Sequence, residues 1–321
     1  MAKTVRAHTN IALIKYWGKA DDQLRLPLMS SLSMTLDQFY TDTKITASTT
    51  GNHFFLNNIE QTDKSAQRVF AYLKKLQQHF NVTGSLSVHS INHVPIAAGL
   101  ASSSSAFAAL AGAFCAYYEL DVNQRQLSRL ARLGSGSASR SIYGGFAVWQ
   151  KGVDDATSYA YALDENPQQM DLHLLAIELN QQPKKLSSTG GMKQAQSSPF
   201  FKPWLARNEQ EMAAMTSAIK ENDFTHLGQL AELNASEMHA INLTAQPGFT
   251  YFEPDTIKAI KLVAQLRARG IECYYTIDAG PNVKVLCQLR NVKDVTNSFV
   301  SVFKNAKIVN ASFGPGISCL D

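Results

Sequence analysis

A chain of 321 residues, 45% apolar and 17% charged, has material for one large domain or two ordinary ones around a substantial core. Its formal net charge of +4 is mild and no dense Lys/Arg run occurs, so a bound anion is expected to be small, with neither nucleic acid nor membrane as a partner. Cys115, Cys273, Cys287 and Cys319 lie far apart without Cys-x-x-Cys spacing, which suggests neither a zinc site nor a disulfide framework. The opening Met-Ala-Lys-Thr-Val-Arg-Ala-His has no apolar signal core, and no apolar run approaches the ~20 residues of a membrane span, so the expected location is cytoplasmic.

In chain order, Val5 to Tyr16 mixes β-formers with Asn10 and reads as extended. Tyr16-Trp17-Gly18-Lys19 breaks that pattern, and Ala20 to Leu24 reads as a polar turn. Ser31 to Leu36 alternates polar and apolar, a strand signature, and Lys44 to Ser48 with His53 to Leu56 predicts a hairpin around Thr50-Gly51-Asn52. Thr62 to Phe80 puts Ala66, Val69, Phe70, Leu73 and Leu76 on one helical face, with Thr62 as the cap. Ser85 to Ile91 alternates again and delivers the chain into Val94 to Leu110.

That stretch joins Pro95 and Gly99 to four serines, Ser102 to Ser105, and an Ala-rich run, Ala106 to Tyr118, of high helix propensity. Small side chains let backbone N–H groups approach a ligand, and a helix start adds partial positive charge, so the segment is a candidate phosphate cradle. The alternative is a plain loop and N-cap, although one serine satisfies a cap. No Gly-Lys-Ser/Thr ends it and it lacks dinucleotide-fingerprint spacing, which excludes a Walker A loop and a Rossmann turn.

A helix over Asn123 to Leu133 stops at Gly134 and leads into Gly134-Ser-Gly-Ser-Ala-Ser-Arg-Ser141, Tyr143-Gly144-Gly145 and a strand through Phe146 to Trp149. The Gly/Ser run is either a flexible linker or a second small-ligand loop whose Arg140 offers a planar fork to a carboxylate or phosphate. Asp171 to Leu179 reads as a buried strand, and the polar Lys184 to Met192 as the inter-domain crossing, which divides the chain into 1–182 and 183–321. Helices over Trp204 to Lys220, Phe224 to Ala240 and Asp255 to Arg269 follow. Strands around Ile271 to Ile277 and Val283 to Gln288, a helix after Val292 and a strand near Lys307 to Phe313 complete a small α+β domain closing over the first. Between the two late strands, Asp278-Ala-Gly-Pro-Asn282 is a turn in which Asp278 either caps backbone or does chemistry.

Taken together, Asn10-Ile-Ala-Leu-Ile-Lys-Tyr-Trp-Gly-Lys19, Pro27 with Ser30 to Leu36, Pro95 to Ser105, Gly134 to Ser141 with Tyr143-Gly-Gly145, Met238-His239-Ala240 and Thr276 to Asn282 resemble the diphosphomevalonate decarboxylases. These belong to the small-molecule kinase superfamily that includes galactokinase, homoserine kinase, mevalonate kinase and phosphomevalonate kinase. The serine segment points only to the superfamily; Lys-Tyr-Trp-Gly-Lys and Asp-Ala-Gly-Pro-Asn look specific to the decarboxylases. The resemblance implies an α+β, two-lobed GHMP-kinase-like fold. Its ribosomal-protein-S5-like, ATP-binding N-terminal lobe would be 1–182, its ferredoxin-like C-terminal lobe 183–321, and the active site would lie in the cleft.

It further implies ATP and Mg²⁺, mevalonate 5-diphosphate as substrate, isopentenyl diphosphate, ADP, phosphate and CO₂ as products, and a homodimer. By the same resemblance Ala98, Gly99, Leu100, Ala101, Ser102, Ser103, Ser104 and Ser105 hold ATP, with Ser103 nearest the metal. Asp278 matches the catalytic aspartate and Arg140 the arginine that orients the departing carboxylate, while Lys15 approaches Asp278. Tyr16, Lys19, Ser135 and Ser137 face the diphosphate, Ser187 and Ser188 contact substrate across the crossing, and His239 lines the site. Ser139 and the run Ser102 to Ser105 are richer in serine than is usual for the family. The rival readings are a kinase of the superfamily, a decarboxylase of the monophosphate, and a non-catalytic ligand-binding relative.

Overall fold

A computed structural model describes residues 3–94, 102–165, 167–180, 182 and 186–320, with Gln168 described by its backbone alone. In chain order the strands are β1 (Thr4–Ile14), β2 (Lys19–Asp21), β3 (Leu26–Pro27), β4 (Ser31–Ser48), β5 (His53–Leu56), β6 (Ile59–Glu60), β7 (Ser85–Asn92), β8 (Phe146–Trp149) and β9 (Ala160–Asp164). They continue as β10 (Leu172–Glu178), β11 (Cys273–Thr276), β12 (Val283–Gln288), β13 (Lys307–Ala311) and β14 (Ser318–Cys319). The helices are α1 (Lys64–Phe80), α2 (Ser102–Tyr117), α3 (Gln124–Gly134), α4 (Ser188–Ala195), α5 (Phe201–Lys220), α6 (Phe224–Leu243), α7 (Pro254–Ala268) and α8 (Leu289–Val302).

The first sheet runs β14-β1-β4-β7-β5-β6, with β8 and β9 attached to the near half of β4; the second runs β11-β12-β10-β13, all antiparallel. The sequence β10, helices, β11, β12, α8, β13 with that strand order is ferredoxin-like. Helices α1 to α3 cover one face of the first sheet through a core that includes Leu73, Leu110, Phe114 and Leu130. Helices α5 and α6 lie between the two sheets: Met215, Ala218, Leu227 and Ala231 pack in one cluster with Ile11 and Met34 of the first sheet and Leu174 and Leu286 of the second. Helices α7 and α8 close the far face of the second sheet around Leu266, Val285 and Phe299. The result is the expected two-lobed arrangement, and the residues after β1 and β11 meet at the Lys15–Asp278 contact.

Helix boundaries follow capping chemistry. Asp63, rather than Thr62, caps α1 by accepting from Ser65 N–H at 2.8 Å, because a carboxylate placed one residue before the helix outcompetes a hydroxyl placed two before. Asn123 and Gln126 form a reciprocal capping box at α3. The expected hairpin between Lys44–Ser48 and His53–Leu56 does not form: β7 takes the antiparallel place beside β4, and β5 pairs parallel to β7 from the other side. Asn52 holds this arrangement by accepting the Leu86 N–H at 2.8 Å. The Gly/Ser run is neither loop nor linker but a 3₁₀ helix over Gly136–Ile142, and the four serines form the first turn of α2. The apolar β10, although it precedes residue 183, is central in the second sheet, and β14 returns from the C-terminus to β1, so the change of sheet does not coincide with the 182/183 division.

Candidate active site

Lys15 is the first residue beyond β1. Its side chain is 2% exposed, and its Nζ donates to Asp278 Oδ1 at 2.7 Å and to Ala12 O at 2.9 Å. Asp278 sits in the turn after β11, where Gly280 N–H donates to its carbonyl. Burial pushes the Lys15 ammonium below its ordinary pKa, more than the Asp278 carboxylate restores. Burial would raise the Asp278 carboxyl, but the charges of Lys15, Lys284 and Arg140 together with the Lys15 hydrogen bond hold it below the usual carboxylate range.

Arg140, 2% exposed, comes from the 3₁₀ helix and faces β4. Its guanidinium donates to Ser33 Oγ at 2.9 Å, to Ser31 Oγ, and to Asn10 Oδ1 at 3.2 Å. All of these acceptors are neutral, so the charge is positioned without being cancelled, and burial brings its pKa down to about 10. Asn10 in turn donates to Ser137 O and Ser141 Oγ, which ties the strand to the 3₁₀ helix.

Tyr16 stands edge-on to Trp149, with ring centroids 4.7 Å apart. Its hydroxyl oxygen is buried and has no hydrogen-bond partner among the described residues, and burial keeps the phenol protonated by raising its pKa. A Cβ on Gly136 would stand 2.8 Å from Trp149 and 2.9 Å from Tyr16, so only glycine lets the 3₁₀ helix start against these rings. Ser135 Oγ lies 3.1 Å from Ser103 Oγ and 3.3 Å from Ser137 Oγ, a hydroxyl chain that joins the start of α2 to the 3₁₀ helix.

The remaining expected residues divide. Lys19 pairs with the exposed Asp22 at 2.9 Å. His239, 2% exposed, shares a hydrogen bond between its Nε2 and Ile277 O at 3.3 Å, and burial first and then the charge of Lys15 lower its pKa to about 4, so it is neutral beside the ion pair. Ser187 spends its hydroxyl as the N-cap of α4, accepting from Gly190 N–H at 3.1 Å, and Ser188 opens that helix. Ser105 points into the sheet, where its hydroxyl meets Thr9 at 3.0 Å and Thr41 at 2.8 Å; Ser104 is buried beside it, and Ser102 and Ser103 are the accessible members of the run. Ala98 to Ala101 lie outside the described residues.

Sequence reasoning missed Lys284, fully buried on β12 and one of the cations acting on Asp278. A lysine inside the apolar run Val283-Lys-Val-Leu-Cys287 was the available signal. It also left Ser31, Ser33 and Asn10 without a role, although the polar half of the Ser31 to Leu36 alternation is buried against Arg140.

The diphosphomevalonate decarboxylase of Ganoderma lucidum is 34% identical over 337 residues, covering 97% of this chain and 84% of its own. The model of the diphosphomevalonate decarboxylase-like N-terminal domain matches residues 7–160, and that of the mevalonate 5-diphosphate decarboxylase C-terminal domain matches residues 174–315. The chain belongs to the diphosphomevalonate decarboxylase family. Among solved family structures, mevalonate diphosphate decarboxylase from Staphylococcus aureus superposes with a TM-score of 0.95 at 41% identity, covering 100% of this chain and 98% of that one. MDDEF in complex with MVAPP, AMPPCP and magnesium superposes with a TM-score of 0.95 at 45% identity, covering 100% and 99%. The similarity runs through both lobes, so the Lys15–Asp278 contact between them lies within the shared architecture.

Proposed function

We propose that this member of the family performs ATP-dependent decarboxylation of mevalonate 5-diphosphate to isopentenyl diphosphate, with Asp278, Lys15 and Arg140 at the reacting centre. The observation that carries the residue roles is the Lys15–Asp278 ion pair, held at 2.7 Å within the field of Arg140. Lys15 occupies one carboxylate oxygen, leaving the other to accept from the C3 hydroxyl and fix it toward the incoming phosphoryl group. Because the neighbouring cations hold Asp278 ionised, it acts mainly by orientation and charge, which suits a loose phosphoryl-transfer transition state that needs little proton abstraction. Arg140 has N–H donors beyond those given to Ser31, Ser33 and Asn10, and a planar fork of this kind grips the carboxylate that leaves as CO₂.

Tyr16, whose buried hydroxyl has no partner among the described residues, Lys19, Ser135 and Ser137 receive the diphosphate in this reading, with Ser187, Ser188 and His239 at its margin. The start of α2 at Ser102 and Ser103, with the residues leading into it, receives the nucleotide phosphates. The site suits Mg²⁺ held largely by substrate phosphates and water: no group of three His, Cys, Asp or Glu side chains among the described residues could form an all-protein cage, whereas Ser103 and Ser135 offer hard hydroxyl oxygens. There Mg²⁺ would neutralise phosphate charge.

The reading includes an ATP-binding N-terminal lobe, a C-terminal lobe that takes in β10 ahead of residue 183, a homodimer and a cytoplasmic location; among the described residues no helix is long and apolar enough to cross a membrane. Incubation with ATP, Mg²⁺ and mevalonate 5-diphosphate should release CO₂, ADP and phosphate in equal amounts. Phosphorylated product without gas would indicate a kinase, preference for the monophosphate the other decarboxylase, and no ADP a ligand-binding relative. Light scattering on a sizing column reads the oligomeric state.

A further inference from the structure

The lysine of the reacting centre is held by its main chain as well as by its side chain. One residue past β1, the Lys15 N–H has left the sheet ladder and donates instead to Asn234 Oδ1 of α6 at 2.7 Å. Asn234 is 2% exposed, and its Nδ2 donates to Glu211 Oε2 of α5 at 2.6 Å. An amide can rotate to exchange its donor and acceptor ends, and nothing about its shape selects one. Two fixed groups select it from opposite ends: the Lys15 N–H can only donate and takes Oδ1, and an acceptor oxygen of Glu211 holds Nδ2 toward α5.

Glu211 is itself 5% exposed and carries an unusual burden for a structural residue. Its Oε1 lies 3.3 Å from Arg207 of the same helix and has no hydrogen-bond partner among the described residues. Glu237 of α6 faces it and is ion-paired to the same Arg207. A buried carboxyl group beside a second carboxyl is costly to keep for packing alone, and Asn234 would be held as well by any apolar neighbour if only volume mattered.

We propose that Glu211 and Asn234 are positioning residues: the carboxyl group fixes the amide's orientation, and the amide fixes the Lys15 main chain so that Nζ meets Asp278. This rests on the reading of Lys15 and Asp278 given above. Neither residue touches substrate in this proposal, and both act through Lys15.

The test is a reversal of polarity. At a pH above the range in which Glu211 holds its proton, Asn234→Asp puts a second acceptor against Glu211, so turnover should fall on the order of tenfold or more with the KM for ATP nearly unchanged. Hydrogen exchange of the Lys15 amide should accelerate on the order of tenfold. Glu211→Gln together with Asn234→Asp restores a donor facing an acceptor, now running from residue 211 to residue 234, and should return turnover to within about threefold of the parent and restore exchange protection. Should Asn234→Asp unfold, the double variant still decides the matter: folded by circular dichroism yet inactive, or with an unprotected Lys15 amide, it overturns the proposal. Full turnover in a folded Asn234→Asp protein overturns it too. Asp278→Asn separates the two claims, since it leaves this network untouched; if that variant retains full turnover, the reading of the reacting centre fails, while the exchange measurement still decides the network.

Discussion

Lys15 Nζ and Asp278 Oδ1 lie 2.7 Å apart across 263 residues of chain, one from the end of a strand in the first sheet and the other from a turn in the second. The ion pair is therefore a bond between lobes as well as the centre of the proposed reaction. Asp278→Asn keeps the shape, and turnover should fall about 10²- to 10⁴-fold, while the KM for mevalonate 5-diphosphate changes less than about threefold, measured by CO₂ release. Lys15→Met removes the strongest of the influences that lower the Asp278 pKa, so burial then raises it. The acidic limb of kcat/KM should move to higher pH in that variant, because Asp278 must be ionised to act and is lost as pH falls through its pKa. An unmoved acidic limb would remove Asp278 from the titrating groups.

Arg140→Lys tests whether the fork or only the charge is needed. An ammonium cannot serve Ser33, Ser31 and Asn10 from one planar group, so two strands and the 3₁₀ helix lose a shared anchor. Turnover should fall on the order of a hundredfold and stability by about 2 kcal/mol, read by denaturant titration. A variant with normal turnover would mean that a point charge suffices.

Much of this was legible before any coordinates. Helical periodicity located α1, α3 and α5 to α7, and the turn at Asp278 stood out by composition. What escaped was whatever depends on which strands become neighbours. The residues flanking Thr50-Gly51-Asn52 carry every local sign of a hairpin, yet β7 wins the edge of β4 because pairing is settled by burial over the whole sheet. The alternation at Ser31 to Leu36 marks a strand but does not say what its polar members face, and Ser31 and Ser33 are the cradle of a buried guanidinium. The Gly/Ser run offered linker or loop, and its 3₁₀ form depends on Trp149 and Tyr16, whose proximity no local pattern encodes. The role given to Asn234 was invisible for the same reason: it requires α5, α6 and β1 to be placed together.

Glu211 gives a pH dependence of stability with a definite sign. Burial first, and the adjacent Glu237 second, push its pKa up to about 7, against weaker lowering by Asn234 and Arg207. The folded chain thus holds a proton that the unfolded chain releases at ordinary carboxylate pH. Stability from this group is full below about pH 4.3 and is lost as pH rises toward about 7, with a slope of at most about 1.4 kcal/mol per pH unit. Glu211→Gln, which carries no titrating proton, should flatten that part of the curve. Unfolding measured by urea between pH 5 and pH 8 reads the difference; an unchanged slope would assign the titration to other groups.

Tyr16→Phe should separate folding from binding in opposite directions. The phenol oxygen is buried without a partner among the described residues, a state that costs the free protein about 1–3 kcal/mol relative to a satisfied hydroxyl. Removing it should raise stability by about 1 kcal/mol, because the ring still packs against Trp149 and over Gly136. If that hydroxyl exists to donate to the substrate diphosphate, the same change should raise the KM for mevalonate 5-diphosphate on the order of tenfold and leave the KM for ATP almost unmoved. A phenylalanine variant that is more stable and binds equally well would leave the hydroxyl without a ligand role and move the diphosphate toward Lys19 and the serines of the 3₁₀ helix.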